Sequence, residues 1–594
     1  MTRPEAASQR DGDDTMFMLV VGVAAFAAGG HWVVGNVAAL VGRRRSLHAG
    51  LGEAIVALTR LPSHAADPRL AWDEPARSNL PGPVLYWTSV VAVVVLATVL
   101  TVVLIRRLGS HRHESPDKRR RLGVETQARL ATTRDLRPLL TRHPAPGRFV
   151  LARWGRNLLS TEGASDRGRR GVRGAVAVFG PSQSGKTTGL IDGVSSWVGP
   201  AIVSSVKTDL LRATLNRREQ RGEIKVFDPL GVSGMPSASW SPLRAAHDLA
   251  GALAAAQVLA RAGADEAPND RFWRGQAEQL IAAMLWTAAN TEGQTMSNVV
   301  RWVLELDRPQ GDAGGTLAPL VRLLTDHTDP AIALAARQVQ GWLHGQWSTD
   351  PRTTSSVYAT ARNAVWPWAD PAVAATANGC DITLDWLLAD TNTLYLSSPL
   401  GDETRIGIVF AVLLHDLITQ GFDRFNRTGE ALDPRLLVLL DEAANTPLPK
   451  LPQWASTVTG AGIQLVTVWQ SKAQLDITYG KDAETVLTNH RTKLIYPSGI
   501  TDLATVQYIS ELVGDEHVRS DLDDPGWMTG RRDEPLTGRS PGTALAFLPA
   551  STLRRVSVGD ALLIHGHLPP AWVPARMWRA NLRSRRGPPT ARVV

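Results

Sequence analysis

Cysteine is almost missing. Cys380 is the single one among 594 residues, so no disulfide can close within the chain and no cysteine-rich metal cage can form. It reads as an ordinary buried residue. Lysine is scarce, and arginine supplies most of the positive charge. No internal repeat is evident. The longest clean apolar run, Val84 to Ile105, holds no charged residue, which argues against a solute path through a membrane. What the chain does have is length and basic charge. At 594 residues it exceeds one ordinary core, so two or more domains are expected. Hydrophobic residues make up 44%, which suits a globular protein with some membrane content. A formal charge of +8 and a pI of about 9.8 favour anionic partners, nucleic acid or anionic lipid. Charge alone does not choose between them, and a solvated basic surface fits equally well.

At ~1.5 Å per residue, Val84 to Ile105 is long enough to cross a hydrocarbon core of ~30 Å. Tyr86 and Trp87 lead it. Arg106, Arg107 and a basic cluster from Arg112 to Arg121 follow it. This order predicts a spanning helix over 84–105 with a cytoplasmic C-terminal side. A buried core helix is the alternative. Met16 to Val41 is a weaker run that contains Gly29, Gly30, His31 and Asn36. It is too long for a signal-peptide core, and the tail over 1–15 is acidic rather than basic. A span over 16–41 would complete a transmembrane helical hairpin, with 42–83 as an extracytoplasmic loop. Arg43, Arg44 and Arg45 would then lie on the translocated side, against the usual charge rule. A re-entrant first segment avoids that conflict.

A basic linker is expected over 106–146, and the ordered body is expected to begin at Gly147. From there short apolar runs alternate with helical patterns. The expected strands are Ala175–Phe179, Ala201–Val206, Ile224–Phe227, Thr393–Ser397, Leu436–Leu440, Ile463–Trp469, Lys493–Tyr496 and Ala561–His565. Such runs separated by helices predict an α/β fold with a mainly parallel sheet covered on both faces. From about Ala246 to Trp368 the strand signal lapses. Amphipathic helices are expected there over Leu249–Arg261, Phe272–Thr287, Ser297–Leu306, Leu317–Thr325, Ala331–Leu343 and Thr354–Trp366. The expected division is a motor part over 147–245, an all-α insert over 246–368 and a second motor part over 369–576. The stretch 577–594, with Arg579, Arg583, Arg585 and Arg586, reads as a basic disordered tail.

The strand Ala175–Phe179 ends directly in Gly180-Pro181-Ser182-Gln183-Ser184-Gly185-Lys186-Thr187. In the pattern G-x4-G-K-T the glycines let the loop turn tightly, so that backbone N–H groups point at phosphate oxygens. The helix behind adds its positive N-terminal end. Lys186 reaches the β- and γ-phosphates, and the Thr187 hydroxyl ligates Mg²⁺. Thr188 extends the nucleotide-binding stretch. A chance match in a Gly/Ser-rich loop is the bland reading. Leu436–Leu440 then runs into Asp441-Glu442. Asp441 suits the Mg²⁺ shell, and Glu442 is placed to polarise an attacking water. Without the first loop, a solvated acidic turn would explain this pair equally well. Gln470, at the tip of Ile463–Trp469, can sense a γ-phosphate or simply cap the strand.

These segments together resemble one known family, the coupling proteins of type IV secretion and conjugation (the TraG/TraD class, also called VirD-type). The resemblance spans Gly147 to Trp578 and the two N-terminal runs. It rests on GRFVLARWG, GPSQSGKTTGL, SSVKTDLL with Lys207 and Asp209, VFDPLG, SWSPL and RFWRGQAEQLIAAML. DEAAN, GIQLVTVWQSKAQL with Tyr479-Gly480, and TDLATVQYISELVG complete the series. It implies a RecA-like P-loop NTPase motor with an inserted all-α domain and a two-span anchor. It also implies a homo-hexameric ring at the cytoplasmic face of the cell membrane. The implied activity is ATP hydrolysis with Mg²⁺. It would deliver DNA, single-stranded and with its relaxase, or a secreted protein to the secretion channel. Salt-sensitive, sequence-independent grip on phosphates would follow. One departure stands out. Where family members often carry a trans-acting arginine before the Gly-x-Gly, this chain has Thr459. Arg352, Arg362, Arg405, Arg491 and Lys481 are the candidate replacements. Trp273 and Arg274 are either packing residues or cargo contacts. Two other readings remain: an FtsK/HerA-like translocase of double-stranded DNA, and a catalytically weak scaffold that recruits cargo.

Overall fold

The computed structural model describes residues 28–109, 120–121, 124–125, 128–163, 174–262, 270–309, 315–446, 448–518 and 543–574. The chain divides into two units, Met1–Thr126 and Gln127–Val594. The tail 1–15, the first part of the expected span over 16–41 and the tail 577–594 lie outside the described residues.

In the first unit residues 28–43 are helical, and Pro83–Gly109 forms one long helix. Over Pro83–Leu100 that helix is apolar and little of it is covered. Val84, Val91, Leu96 and Leu100 are exposed, as a lipid-facing surface requires. The stretch between the two helices is folded rather than a plain loop. It contains the helix Leu51–Arg60 and two short 3-10 turns. Val34, Ala38, Leu47, Ala54, Trp72, Leu80 and Tyr86 form its own small core. His31 stacks on Trp72 at 5.1 Å between ring centres.

The second unit is built on a nine-stranded sheet. Its strands are β1 (Val176–Phe179), β2 (Ala201–Ser205), β3 (Ile224–Phe227), β4 (Thr393–Ser397), β5 (Leu436–Leu440), β6 (Ile463–Trp469), β7 (Thr492–Ile495), β8 (Asp560–His565) and β9 (Ala571–Pro574). Their order across the sheet is β9-β8-β7-β1-β6-β5-β2-β4-β3. Every pair from β7 to β3 is parallel, and β8 and β9 close one edge antiparallel. Side chains alternate between two cores. Ala177 and Phe179 face one, with the inserted helices, while Val176 and Val178 face the other. A strand buried on both faces is mostly apolar, which is why these strands read as near-continuous runs.

Between β3 and β4 lie the helices Leu249–Ala262, Asp270–Ala289, Met296–Leu304, Leu317–Thr325, Pro330–Trp347 and Pro351–Val365. Two further short helices, Pro371–Thr376 and Leu384–Ala389, precede β4. These helices share one continuous core with a face of the sheet. Trp273 packs against that core and is a packing residue. Glu403–Thr428 is long and apolar enough to cross a membrane, but most of it is buried in this core.

Two expectations need correction. Part of the expected linker belongs to the folded body: Ala131, Leu136 and Leu139 are buried with Leu151 and Leu159. Arg129 clasps Asp135, which also accepts from the Thr132 amide. Sparse apolar residues in turns hide this packing from a periodicity reading. Cys380 is exposed rather than buried, with Arg244 Nη1 3.3 Å from its sulfur.

Candidate functional site

The loop after β1 curls as its residue types allow. Gly180 and Gly185 have φ of 158° and 102°, which cost glycine little, while Gln183 takes φ 64° without that freedom. A Cβ on Gly180 would lie 2.7 Å from the Tyr496 carbonyl oxygen. The Gly180 amide donates to the Trp469 carbonyl at 3.2 Å, tying the loop to the end of β6. Helix α1, Lys186–Ser196, starts immediately behind. Of its first-turn amides, that of Thr188 donates to the Gly185 carbonyl at 3.2 Å, and the positive N-terminal end of the helix favours an anion.

The Lys186 ammonium donates to the carbonyls of Gly180 and Pro181, the latter at 2.9 Å. Burial lowers its pKa. The Asp441 and Glu442 carboxylates act the other way, and Lys207 adds to the lowering. The Ser184 hydroxyl is buried without a hydrogen-bond partner. The Ser184 carbonyl accepts from the Gly559 amide at 3.1 Å, and Gly559 packs on Gly185.

Asp441 closes β5. Its amide donates to the Ser204 carbonyl of β2 at 2.8 Å, and its Oδ2 accepts from the Ser205 hydroxyl at 3.0 Å. Burial pushes its pKa up to about 6. Glu442 adds to that rise, while Ser205, Lys186 and Lys207 oppose it. Glu442 takes a left-handed backbone, φ 57° and ψ 58°. For a side chain of this size that is a strained conformation, of the kind that clusters at functional sites. Its Oε2 accepts from Asn445 Nδ2 at 3.2 Å.

These elements line one cleft of about 760 Å³, formed by Pro181 to Thr188, Lys207, Asp441, Glu442, Val558 and Gly559. It holds cations for a phosphate chain and oxygen donors for a hard cation. Thr187 and Asp441 are the donors that suit Mg²⁺. No described group of three or more His, Cys, Asp or Glu could hold a metal unaided. An ion completed by substrate phosphate oxygens therefore fits this donor set better than an all-protein cage.

Gln470 follows β6 but does not line the cleft. Its side chain is exposed, and its amide donates to Gln474 Oε1 at 2.9 Å. None of the five candidate replacements for the missing arginine lines the cleft either. Arg352, Arg362 and Lys481 are exposed. Arg405 is held by Asp370 at 3.0 Å and Asp402 at 3.2 Å. Arg491 lies 3.6 Å from Glu162. Thr459 is buried. Motif reading did not place Ser205, Val558 and Gly559 at the site, and Lys207 entered only through the family resemblance. Val558 and Gly559 come from a segment far along the chain with no pattern of its own.

The family described as type IV secretory system conjugative DNA transfer matches residues 138–523, well over half of the chain. A conjugal transfer protein TraG of Escherichia coli is 23% identical over 386 residues, covering 61% of this chain and 58% of that protein. The chain therefore matches less than two thirds of that relative's length. Among solved structures, the bacterial conjugative coupling protein TrwB in a trigonal form with sulphate is similar. It is 17% identical over 78% of this chain and 95% of that one, with a TM-score of 0.55. TrwB in complex with the non-hydrolysable GTP analogue GDPNP is 15% identical over 76% and 94%, with a TM-score of 0.53. These two likenesses show the fold, a RecA-like P-loop architecture. With well over half of its length matched by one family, the chain belongs to the conjugative DNA transfer family of type IV secretory systems.

Proposed function

We propose that the protein is a membrane-anchored ATPase that couples cargo to a type IV secretion or conjugation channel. The observation that carries this reading is the single cleft joining the phosphate loop to Lys207, Asp441 and Glu442 at the ends of neighbouring parallel strands. In this reading Gly180 to Thr188 cradle the triphosphate, and Lys186 leaves its loop carbonyls for the β- and γ-phosphate oxygens. A Mg²⁺ ion held by Thr187 and Asp441 would supply further charge neutralisation at those oxygens. Glu442 orients the attacking water and takes up its proton. Gln470 would join only through a movement of its strand end. The cargo is DNA with its relaxase or a secreted protein, and the working form is a homo-hexamer. Pro83–Leu100 anchors the chain in the cell membrane, with the helix over 28–43 as part of a second span and the motor in the cytoplasm. The motor comprises the segments around β1–β3 and β4–β9, and the inserted helices form its third part.

The test uses the full chain in lipid nanodiscs. ATP hydrolysis is followed with and without single-stranded DNA, beside Lys186→Ala and Glu442→Gln. The expected outcome is DNA-stimulated turnover lost in both variants. Glu442→Gln should still bind ATP and lose a factor of about 10² or more in rate. Turnover indifferent to DNA would favour protein cargo. ATP binding without turnover in the unsubstituted chain would replace the motor by a recruiting scaffold.

A further inference from the structure

At the other end of β1 from the phosphate loop lies a second cavity, of about 360 Å³. Four residues at ~3.3 Å each put it about 13 Å away along the strand. Its walls include Gly174, Ser456, Thr488, Asn489, Arg491 and Lys493. Arg491, just before β7, and Lys493, within it, both line this cavity. Two glycines make room for Arg491. A Cβ on Gly174 would lie 2.3 Å from the Arg491 Cβ, and one on Gly566 would lie 2.8 Å from the guanidinium carbon.

The charges here do not cancel. Glu162 lies 3.6 Å from Arg491 Nε and 3.7 Å from His565 Nε2. Burial first, then the charges of Arg491 and His567, push the His565 pKa down to about 4, so the ring is neutral near pH 7. Glu162 is left to offset Arg491 beside it and, at longer range, Arg148. Lys493 is buried, and its ammonium donates to the His490 carbonyl at 2.9 Å. Among the described residues no carboxylate pairs with it. Burial lowers its pKa to about 8, which still leaves it mostly charged at neutral pH. A buried ammonium without a counter-charge is costly. It faces a cavity that also offers hydroxyl and amide donors from Ser456, Thr488 and Asn489.

The geometry points to a second oxyanion site here: Arg491 and Lys493 bind one phosphate group, separately from the phosphate loop. A phosphodiester of a nucleic-acid strand and a free phosphate share this chemistry. Phosphate binding in the absence of Lys186 separates the inference from the hydrolysis reading.

The test is calorimetric titration of the full chain carrying Lys186→Ala, which silences the first site. Inorganic phosphate is the first probe and an oligothymidylate strand without terminal phosphates is the second. One phosphate site should remain. Arg491→Gln should weaken it by about tenfold, as loss of one charge-assisted hydrogen bond does. Because Arg491→Gln leaves Glu162 unpaired and can disturb folding, Ser456→Asp is the companion variant. Ser456 is exposed, so a carboxylate there repels the anion without emptying any buried position. Oligothymidylate competing with phosphate would identify a strand as the ligand, and phosphate alone would identify a free anion. The inference is overturned if the Lys186→Ala chain binds neither probe, or if both are bound as tightly after Ser456→Asp as before.

Discussion

Gly189 sits in the first turn of α1 because Tyr496 leaves no room for anything larger. A Cβ there would lie 2.3 Å from the phenol oxygen but 3.6 Å from the next ring atom. Four residues on, Gly193 meets the Phe149 ring in the same way, so one face of the helix lies unusually close to its neighbours. The Tyr496 hydroxyl is buried and has no hydrogen-bond partner, so removing it should cost little. Gly189→Ala is therefore expected to lower the thermal midpoint and weaken nucleotide binding, by displacing the helix that carries Lys186 and Thr187. Adding Tyr496→Phe should restore most of both. A double variant no better than the single one would show that the hydroxyl is not what excludes a side chain. This pairing was not legible beforehand, since nothing local links Gly189 to Tyr496. The meeting of Lys186, Thr187, Asp441 and Glu442 in one cleft was legible, because a glycine-rich turn and an acidic pair each follow a readable strand. Gly559 reaches the same cleft through tertiary folding alone, while Lys207 was named only through the family resemblance. Gln470 was read from its place at a strand tip, which does not decide where its side chain turns.

At the scale of elements, the eight strands read from the sequence are present within about a residue. Burial on both faces makes them largely apolar, with exceptions such as Ser205, Lys225, Gln464 and Lys493. The ninth, Ala571–Pro574, was missed. It is a short edge strand ending in proline, and an edge needs no full apolar run. The folded stretch over 128–146 was missed because a few apolar anchors and polar clasps hold it without any regular period. Buried polar groups inside the elements set the pH response. His490 ends the helix Ala483–Asn489. Its Nε2 lies 3.0 Å from the Thr467 hydroxyl of β6, and its Nδ1 lies 2.7 Å from the Val486 carbonyl. Burial pushes its pKa from 6.5 down to about 4; the hydrogen bond to Val486 opposes this and Lys493 adds to it. The unfolded chain thus takes up more protons than the folded one between those values. Stability is full above about pH 6.5 and falls as pH drops towards 4, by up to about 3 kcal/mol from this histidine. His415 and His565 are lowered to about 4 as well and act in the same direction. The thermal midpoint should therefore drop between pH 7.5 and 5, with a shallower slope in His490→Gln. Parallel profiles for the two proteins would remove His490 from this account.

At the scale of the molecule, the two units draw on separate cores. The buried cluster of the first unit runs from Val34 to Tyr86, and both clusters of the second begin at or beyond Ala131. Composition made one long apolar helix readable, Pro83–Gly109, but not the folding of the stretch after residue 43. There small residues and a few aromatics pack without a clear period. Trp72 is its centre: it is almost fully buried, stacks on His31 and packs beside Leu47 and Leu80. A core this small has few other large side chains to take up the loss. Trp72→Ala should cost about 3–5 kcal/mol within it, enough to open a unit of this size. Hydrogen–deuterium exchange of the full chain in nanodiscs reads both sides at once. Uptake is expected to rise sharply over Leu51–Arg60 and the turns that follow, while β1, β5 and β6 keep their protection. Equal loss of protection in the central strands would mean that the two cores fold as one cooperative body. The small core would then have to be counted as part of the second unit's own stability.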